Sequence, residues 1–92
     1  MRLDLYLKAT RLVIRRSVAR QLCDAGRIRV NEQTGKASKE IKPDDEIEIR
    51  RGERRTVIRV LALPHSKQVS KTQAASFFET ISDEPIADPL LP

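Results

Sequence analysis

Leu3, Tyr6, Leu7 and Thr10 fall at i, i+3, i+4 and i+7, the spacing that lines one face of a helix. They predict a first helix over about residues 3–12. Asp4 sits in its first turn, where a negative charge suits the positive helix end. The pattern breaks at Arg15 and Arg16, and Ser17 reads as the N-cap of a second helix carrying Val18, Leu22 and Ala25 on one face. Gly26 supplies the left-handed position that ends it, giving a helix–turn–helix-like pair.

After Gly26 the period drops to two. Ile28 and Val30 point one way, Arg27 and Arg29 the other. Asn31 to Gly35 reads as a turn, Lys36 to Ile41 as a short irregular strand, and Pro43-Asp44-Asp45 as a second turn. Glu46 to Arg50 alternates cleanly with Ile47 and Ile49 inward. Gly52 within RRGERR marks a hairpin loop, and Thr56 to Leu61 is a β-branched strand closed by Pro64. Ser70 to Thr80 predicts a third helix with Ala74, Phe77 and Phe78 on one side, a lid on the core. The final SDEPIADPLLP carries three prolines in eleven residues and predicts a disordered or extended tail.

Composition narrows this picture. The chain has 92 residues, enough for one small domain near the lower limit of unaided folding. Tyr6, Phe77 and Phe78 are its only aromatics, so the core must be aliphatic. Cys23 is the only cysteine, which excludes an internal disulfide, and its place in an apolar helical stripe suggests a small core residue. Without a membrane-length apolar run or a signal-peptide pattern, a cytoplasmic location is the expectation.

Charge changes it more. The net charge is +5, unevenly spread. All eighteen Lys/Arg lie at or before Lys71, so residues 1–78, with nine acids, net +9. Residues 79–92 hold four acids and no base. A basic body of this kind points to a polyanion. Within Met1 to Asn31, eight bases face only Asp4 and Asp24. Surface pairs such as Arg20 with Asp24 can therefore absorb two charges at most.

Catalytic chemistry finds no support. His65 and Cys23 are each the only residue of their kind, so neither a zinc cluster nor a cluster of several Cys and His residues can be assembled. The three glycines are isolated and form no phosphate loop. Asp44, Asp45 and Glu46 follow Pro43 and read as solvated turn residues; His65 reads as a loop residue. No metal or other cofactor is implied.

Arg2, Arg11, Arg15, Arg16, Arg20 and Arg27 are the candidate RNA-binding residues, with Arg29 beside them on the outward face of the strand. Guanidinium forks fit phosphate oxygens. The shortage of aromatics argues against a stacking platform for single strands and for structured RNA read by shape and backbone. A DNA-binding helix–turn–helix regulator is the rival, its recognition helix being the short Ser17–Ala25 with few base-reading side chains beyond Arg20 and Gln21. The RRGERR loop is a weaker second patch, equally readable as a solvated hairpin tip.

RLDLYL at 2–7, RRSVARQL at 15–22, GRIRVN at 26–31, KAS at 36–38 and IKPDDEIEI at 41–49 together resemble the RNA-binding domain first named in ribosomal small-subunit protein S-four. The resemblance implies an α+β fold, the αL motif: a helix pair on a small bent β-sheet, here plus a short C-terminal helix. It divides the chain into an S-four-type domain at 1–64, a linker and helix at 65–80, and an acidic, Pro-rich disordered tail at 81–92. Almost nothing remains for an attached enzyme. MRLD, the RL–RR–A spacing at 11–19 and QAASFFE are similar to the RqcP family of bacterial ribosome-associated quality-control factors. That resemblance implies a monomer without membrane attachment, bound to the large ribosomal subunit. Its partners would be large-subunit rRNA, P-site peptidyl-tRNA and an RqcH-type factor that adds alanine tails. It also implies Arg2 and Arg16 as the main RNA contacts. The heat-shock protein of fifteen kilodaltons, which acts on peptidyl-tRNA-blocked large subunits, is a cousin with a longer basic extension. The chain departs from the family pattern at Asn31-Glu32, where Asn-Gly is usual, and at Asp44, where Gly is usual. A wider turn is expected at the first and a left-handed Asp at the second. The same departures weaken Lys36 and Lys39 as RNA contacts.

Overall fold

The computed structural model describes residues 1–64 and 69–85. The loop reading of His65 and the part of the predicted tail beyond Pro85 lie outside them.

Helix α1, Leu3–Ala9, stops short of Leu12; Leu3, Tyr6, Leu7 and, at its C-cap, Thr10 are buried as the spacing predicts, and Ala9 is buried with them. The Thr10 hydroxyl donates to the Tyr6 carbonyl at 2.7 Å, and Arg11 turns left-handed at φ +61°. The reversed chain is held by the Val13 N–H, which donates to Leu7 O at 3.1 Å. Val13 is thereby fully buried, whereas Ile14 is 79% exposed at the tip of the turn.

Helix α2 is Arg16–Asp24, with Arg15 rather than Ser17 in the N-cap position. Its buried line is Ala19 and Cys23, one turn apart, flanked by the partly buried Val18 and Leu22; Ala25 is the exposed C-cap. Small side chains on the buried line let the helix approach its neighbours closely. The end is a Schellman motif: Gly26, at φ +73°, donates to Cys23 O at 3.0 Å and Arg27 to Leu22 O at 2.9 Å.

Five antiparallel strands follow: β1 Ile28–Val30, β2 Gln33–Thr34, β3 Glu46–Arg51, β4 Arg54–Val60 and β5 Phe78–Pro85, in the order β2-β1-β3-β4-β5. Ile28, Val30, Ile47, Ile49, Ile58 and Val60 line one sheet face and join Leu3, Tyr6, Leu7 and Val13 in a single core. The α+β fold class expected from the sequence is the one observed.

Three local expectations are corrected. Asn31-Glu32 is a tight two-residue turn, not a wide one: both residues have positive φ (+51° and +69°), and Val30 pairs directly with Gln33. This is the backbone of a type I′ hairpin, which matches strand twist. The Asn31 side chain supports it, accepting from Glu46 N–H and donating to Asp45 Oδ1, both at 3.0 Å. Gly35 lies outside that turn, where a Cβ would meet Leu3 Cδ2 at 2.9 Å. Asp44 is left-handed at φ +75°, as expected. Secondly, Lys36 to Ile41 is not a sheet strand, because its bonds run to the N-terminal segment. Leu3 N–H reaches Lys39 O at 2.7 Å, Asp4 N–H reaches Ala37 O at 3.1 Å, and Arg2 and Glu40 form an isolated bridge.

The third correction concerns the C-terminal part. The helix predicted over 70–80 is one α turn, α3 Lys71–Ala74, capped by Ser70 Oγ, followed by a 3₁₀ turn at Ala75–Phe77. Phe78 onward becomes β5 and pairs along β4, so residues 81–85 of the expected tail are strand. The backbone groups on the outer edge of β4 need partners, and β5 provides them. The Phe77 carbonyl fixes the change of direction, accepting from Tyr6 Oη at 2.8 Å and Leu61 N–H at 2.9 Å. Ala74 is buried and Phe78 packs against the core, as a lid requires.

Candidate nucleic-acid interface

Asp4 organises the site. Its side chain is fully buried in the first turn of α1, and its Oδ1 accepts the Leu5 N–H at 2.9 Å. Three guanidiniums surround what remains. Arg16 Nε donates to Oδ2 at 3.0 Å, Arg20 Nε lies 3.4 Å from the same oxygen, and Arg2 Nε lies 3.3 Å from Oδ1. Arg16 and Arg20 reach Asp4 because they stand one turn apart on α2, packed against α1. Arg2 reaches it from the extended residue just before α1, where the Glu40 bridge holds its backbone.

Three cations around one carboxylate leave positive charge in excess. Side-chain exposure of 37% at Arg2 and Arg16 and 56% at Arg20 keeps that excess accessible. A guanidinium carries five N–H donors, so Arg16, which donates through Nε, and Arg2, which donates through Nη2 to Oδ2 at 3.5 Å, each keep most of the fork for an external acceptor. The result is a set of guanidinium donors in fixed positions, a geometry suited to an anion.

Arg11, Arg15 and Arg27 are not bonded to Asp4. Arg11 is exposed at the end of α1, its Nε 3.3 Å from Val69 O; Arg15 is exposed at the N-cap of α2; Arg27 is exposed beyond Gly26. Arg29 faces outward on β1, opposite Glu48. Of the six arginines expected from the sequence, the fold gathers Arg2, Arg16 and Arg20 into one cluster. The residue that sequence reasoning missed is Asp4 itself, whose position in a helix first turn sufficed to explain it. Its signal was available: it is one of two acids among eight bases in the opening segment.

The second patch is differently built. Arg54 Nε donates to Asp83 Oδ1 at 2.7 Å, and Thr56 Oγ1 joins the same oxygen at 3.1 Å. Arg55 lies 3.2 Å from Glu48 and 3.4 Å from Glu84; Arg59 lies 3.7 Å from Glu46 and 4.0 Å from Glu79. Arg50 donates to Glu48 at 2.7 Å. Here arginines and carboxylates alternate across β3, β4 and β5. Burial resists ionisation of Glu48, but hydrogen bonds from Arg50 and Arg55 hold its carboxyl below the ordinary value. The Arg54 bond does the same for Asp83.

Burial, with the negative charges of Asp4 and Asp24, pushes the Cys23 thiol up to about 11 and keeps it protonated at neutral pH. Among the described residues no three His, Cys, Asp or Glu side chains come together as metal ligands.

The sequence model of the S4 domain matches residues 1–47, the segment that contains the arginine cluster. The "RQC P-site tRNA stabilizing factor" of Streptococcus pneumoniae is 42% identical over 83 residues, covering 90% of this chain and 92% of that protein. The protein of the same name from Bacillus subtilis is 35% identical, covering 96% of this chain and all of its own. Among solved structures, trimeric heat shock protein 15 of Vibrio cholerae superposes with a TM-score of 0.79 at 28% identity, covering 89% of this chain and 82% of that one. The solution structure of HP1423 superposes at 0.78 with 30% identity, covering 91% of this chain and all of the other. With the arginine-bearing helix pair in the matched segment and relatives aligned over nearly their full length, the chain belongs to the S4 domain family, in the group of proteins called RQC P-site tRNA stabilizing factor.

Proposed function

We propose that the chain is a non-catalytic factor of ribosome-associated quality control. It binds the large ribosomal subunit obstructed by peptidyl-tRNA and touches both rRNA and P-site tRNA through the Asp4-centred arginines. Its contribution is positional: an interaction made only in the tail-elongating arrangement lowers the free energy of that arrangement relative to others. In this way it supports alanine tailing by an RqcH-type factor on the same particle, acting as a cytoplasmic monomer. Arg2 and Arg16 carry the principal phosphate contacts and Arg20 a third; Arg11, Arg15 and Arg27 extend the contact over the exposed helix-pair surface. The convergence of three partly exposed guanidiniums on one buried carboxylate carries this reading, and the relatives' shared name supplies its ribosomal address.

Sedimentation of large subunits with wild type and an Arg2→Glu/Arg16→Glu variant tests it. Wild type co-sediments with peptidyl-tRNA-bearing particles, RNase releases it and DNase does not; the variant stays at the top of the gradient. Equal co-sedimentation of a folded variant removes the proposed face, and release by DNase alone selects the DNA-binding rival. The chain is similar in structure to heat shock protein 15, and the family resemblance carries a second reading, recycling of blocked subunits. Measurement of tail length and of free-subunit recovery in cells lacking the factor separates the two: shortened tails support tailing, while slowed recovery with unchanged tails supports recycling.

A further inference from the structure

The arginines of β4 form a second basic surface, and the fold itself supplies their counter-ions. Register sets Arg55 opposite Glu84 and Arg59 opposite Glu79, with Asp83 opposite Thr56 and diagonal to Arg54. The strand that carries these acids pairs with β4 from Arg54 to Val60, with one register shift between Val57 and Ile58, and is anchored at its start by the Phe77 carbonyl. The carboxylates are therefore held in place, unlike those of a loose acidic segment. Arg2, Arg16 and Arg20 share the single Asp4, whereas Arg54, Arg55 and Arg59 each have at least one acid of β5 within 4.0 Å. One basic face is left with excess charge and the other is neutralised.

We propose that Glu79, Asp83 and Glu84 determine specificity by occupying the anion positions of the β4 arginines, so that RNA phosphates engage the helix-pair face alone. This rests on the RNA-binding reading above. A surface pair is individually weak, but a phosphate approaching Arg54 must first displace a carboxylate that the sheet returns to the same place. Binding on the sheet side would seat the RNA in the wrong orientation. Phosphate contacts fix the register and orientation of a protein on nucleic acid, so suppressing the second set leaves one orientation.

The test compares the full chain with Asp83→Asn/Glu84→Gln and with a charge-matched control, Asp24→Asn/Asp44→Asn. No ion pair of Arg54, Arg55 or Arg59 involves the control positions. Circular dichroism first establishes that each is folded. Heparin elution and binding to an unrelated RNA hairpin are then measured across a salt series. The strand variant elutes later, and its log K against log salt steepens by about 1–2, the increment for one or two added phosphate contacts. The control shifts far less, and adding Arg54→Gln/Arg55→Gln to the strand variant removes the gain. Equal gains from strand variant and control, or a gain that survives loss of the two arginines, overturn the proposal. Large-subunit co-sedimentation of the wild type is read separately: its absence sinks the ribosomal reading, while the heparin comparison still decides whether the β5 acids shield the sheet.

Discussion

Replacing Asp4 by Asn removes one negative charge and almost no volume. Asp4 is fully buried and faces three guanidiniums between 3.0 and 3.4 Å away. Breaking a buried ion pair on one side costs roughly 3–5 kcal/mol when both partners are desolvated. Here the arginines are between 37% and 56% exposed and regain water, so the expected loss is about 2–3 kcal/mol. Against the roughly 5–15 kcal/mol of an ordinary domain, that lowers the urea midpoint while leaving a folded population. The RNA consequence has the more informative sign. Asp4→Asn raises the net positive charge of the cluster, so a purely coulombic account expects tighter binding. If Asp4 acts by holding the guanidiniums in place, binding weakens instead, by about tenfold for one misplaced charge-assisted hydrogen bond. Urea melts followed by circular dichroism give the stability, and large-subunit binding at 4 °C, where the variant is folded, gives the affinity. A double-mutant cycle with Arg16→Gln should return a coupling of about 1–2 kcal/mol. Tighter binding by a folded Asp4→Asn variant, or a coupling near zero, refutes the organising role.

Three further outcomes follow from individual residues. Glu32→Gly should stabilise the protein by about 1 kcal/mol in thermal unfolding, because Glu32 sits at φ +69° in a type I′ turn that favours glycine. For Glu48, whose folded carboxyl lies below its ordinary value, the stabilisation is present above the unfolded value of 4.5 and is lost as pH falls through the lower folded value. Glu48→Gln should therefore cost about 1 kcal/mol at pH 7, and the difference should vanish in urea melts at pH 2–3. Cys23 runs the opposite way: raised from 9.0 to about 11, it favours the folded state fully below pH 9 and loses that contribution as pH rises through about 11. Compared with Cys23→Ala, wild type should lose about 2 kcal/mol over that interval, and its thiol should react with a disulfide reagent at pH 8 only after urea is added.

The elements whose patterns are strictly periodic were legible without the structure. Leu3, Tyr6 and Leu7 announce α1, and Ile28/Val30 and Ile47/Ile49 announce β1 and β3, because one buried face enforces the period. The early end of α1 was not legible, since it depends on Arg11 adopting a positive φ to bring Val13 under the helices. Nor was β5. Ala74, Phe77 and Phe78 have helical spacing, yet the unpaired edge of β4 decides the conformation from Phe78 onward, and an edge is a tertiary fact. At the site, charge excess revealed the arginines, while their division into a gathered set and a neutralised set depends on which face each strand and helix presents. Sequence reading treated Asp4 as a helix-end acid because nothing local says that three guanidiniums will converge there.

The two margins of the sheet bear on how the protein behaves at high concentration. An open strand edge is a template for another chain, and long, flat, uncharged edges promote edge-to-edge association. Here β2, with only Gln33 and Thr34, is too short to template much. At the other margin β5 carries Glu79, Asp83 and Glu84 and ends at Pro85, which has no N–H to offer. Those carboxylates are already engaged by the β4 arginines and Pro85 withholds a donor, so among the described residues neither margin offers a second copy a full ladder on which to extend the sheet. Among the described residues, the fold thus carries its own protection against β-aggregation at the margin formed by its longest strand.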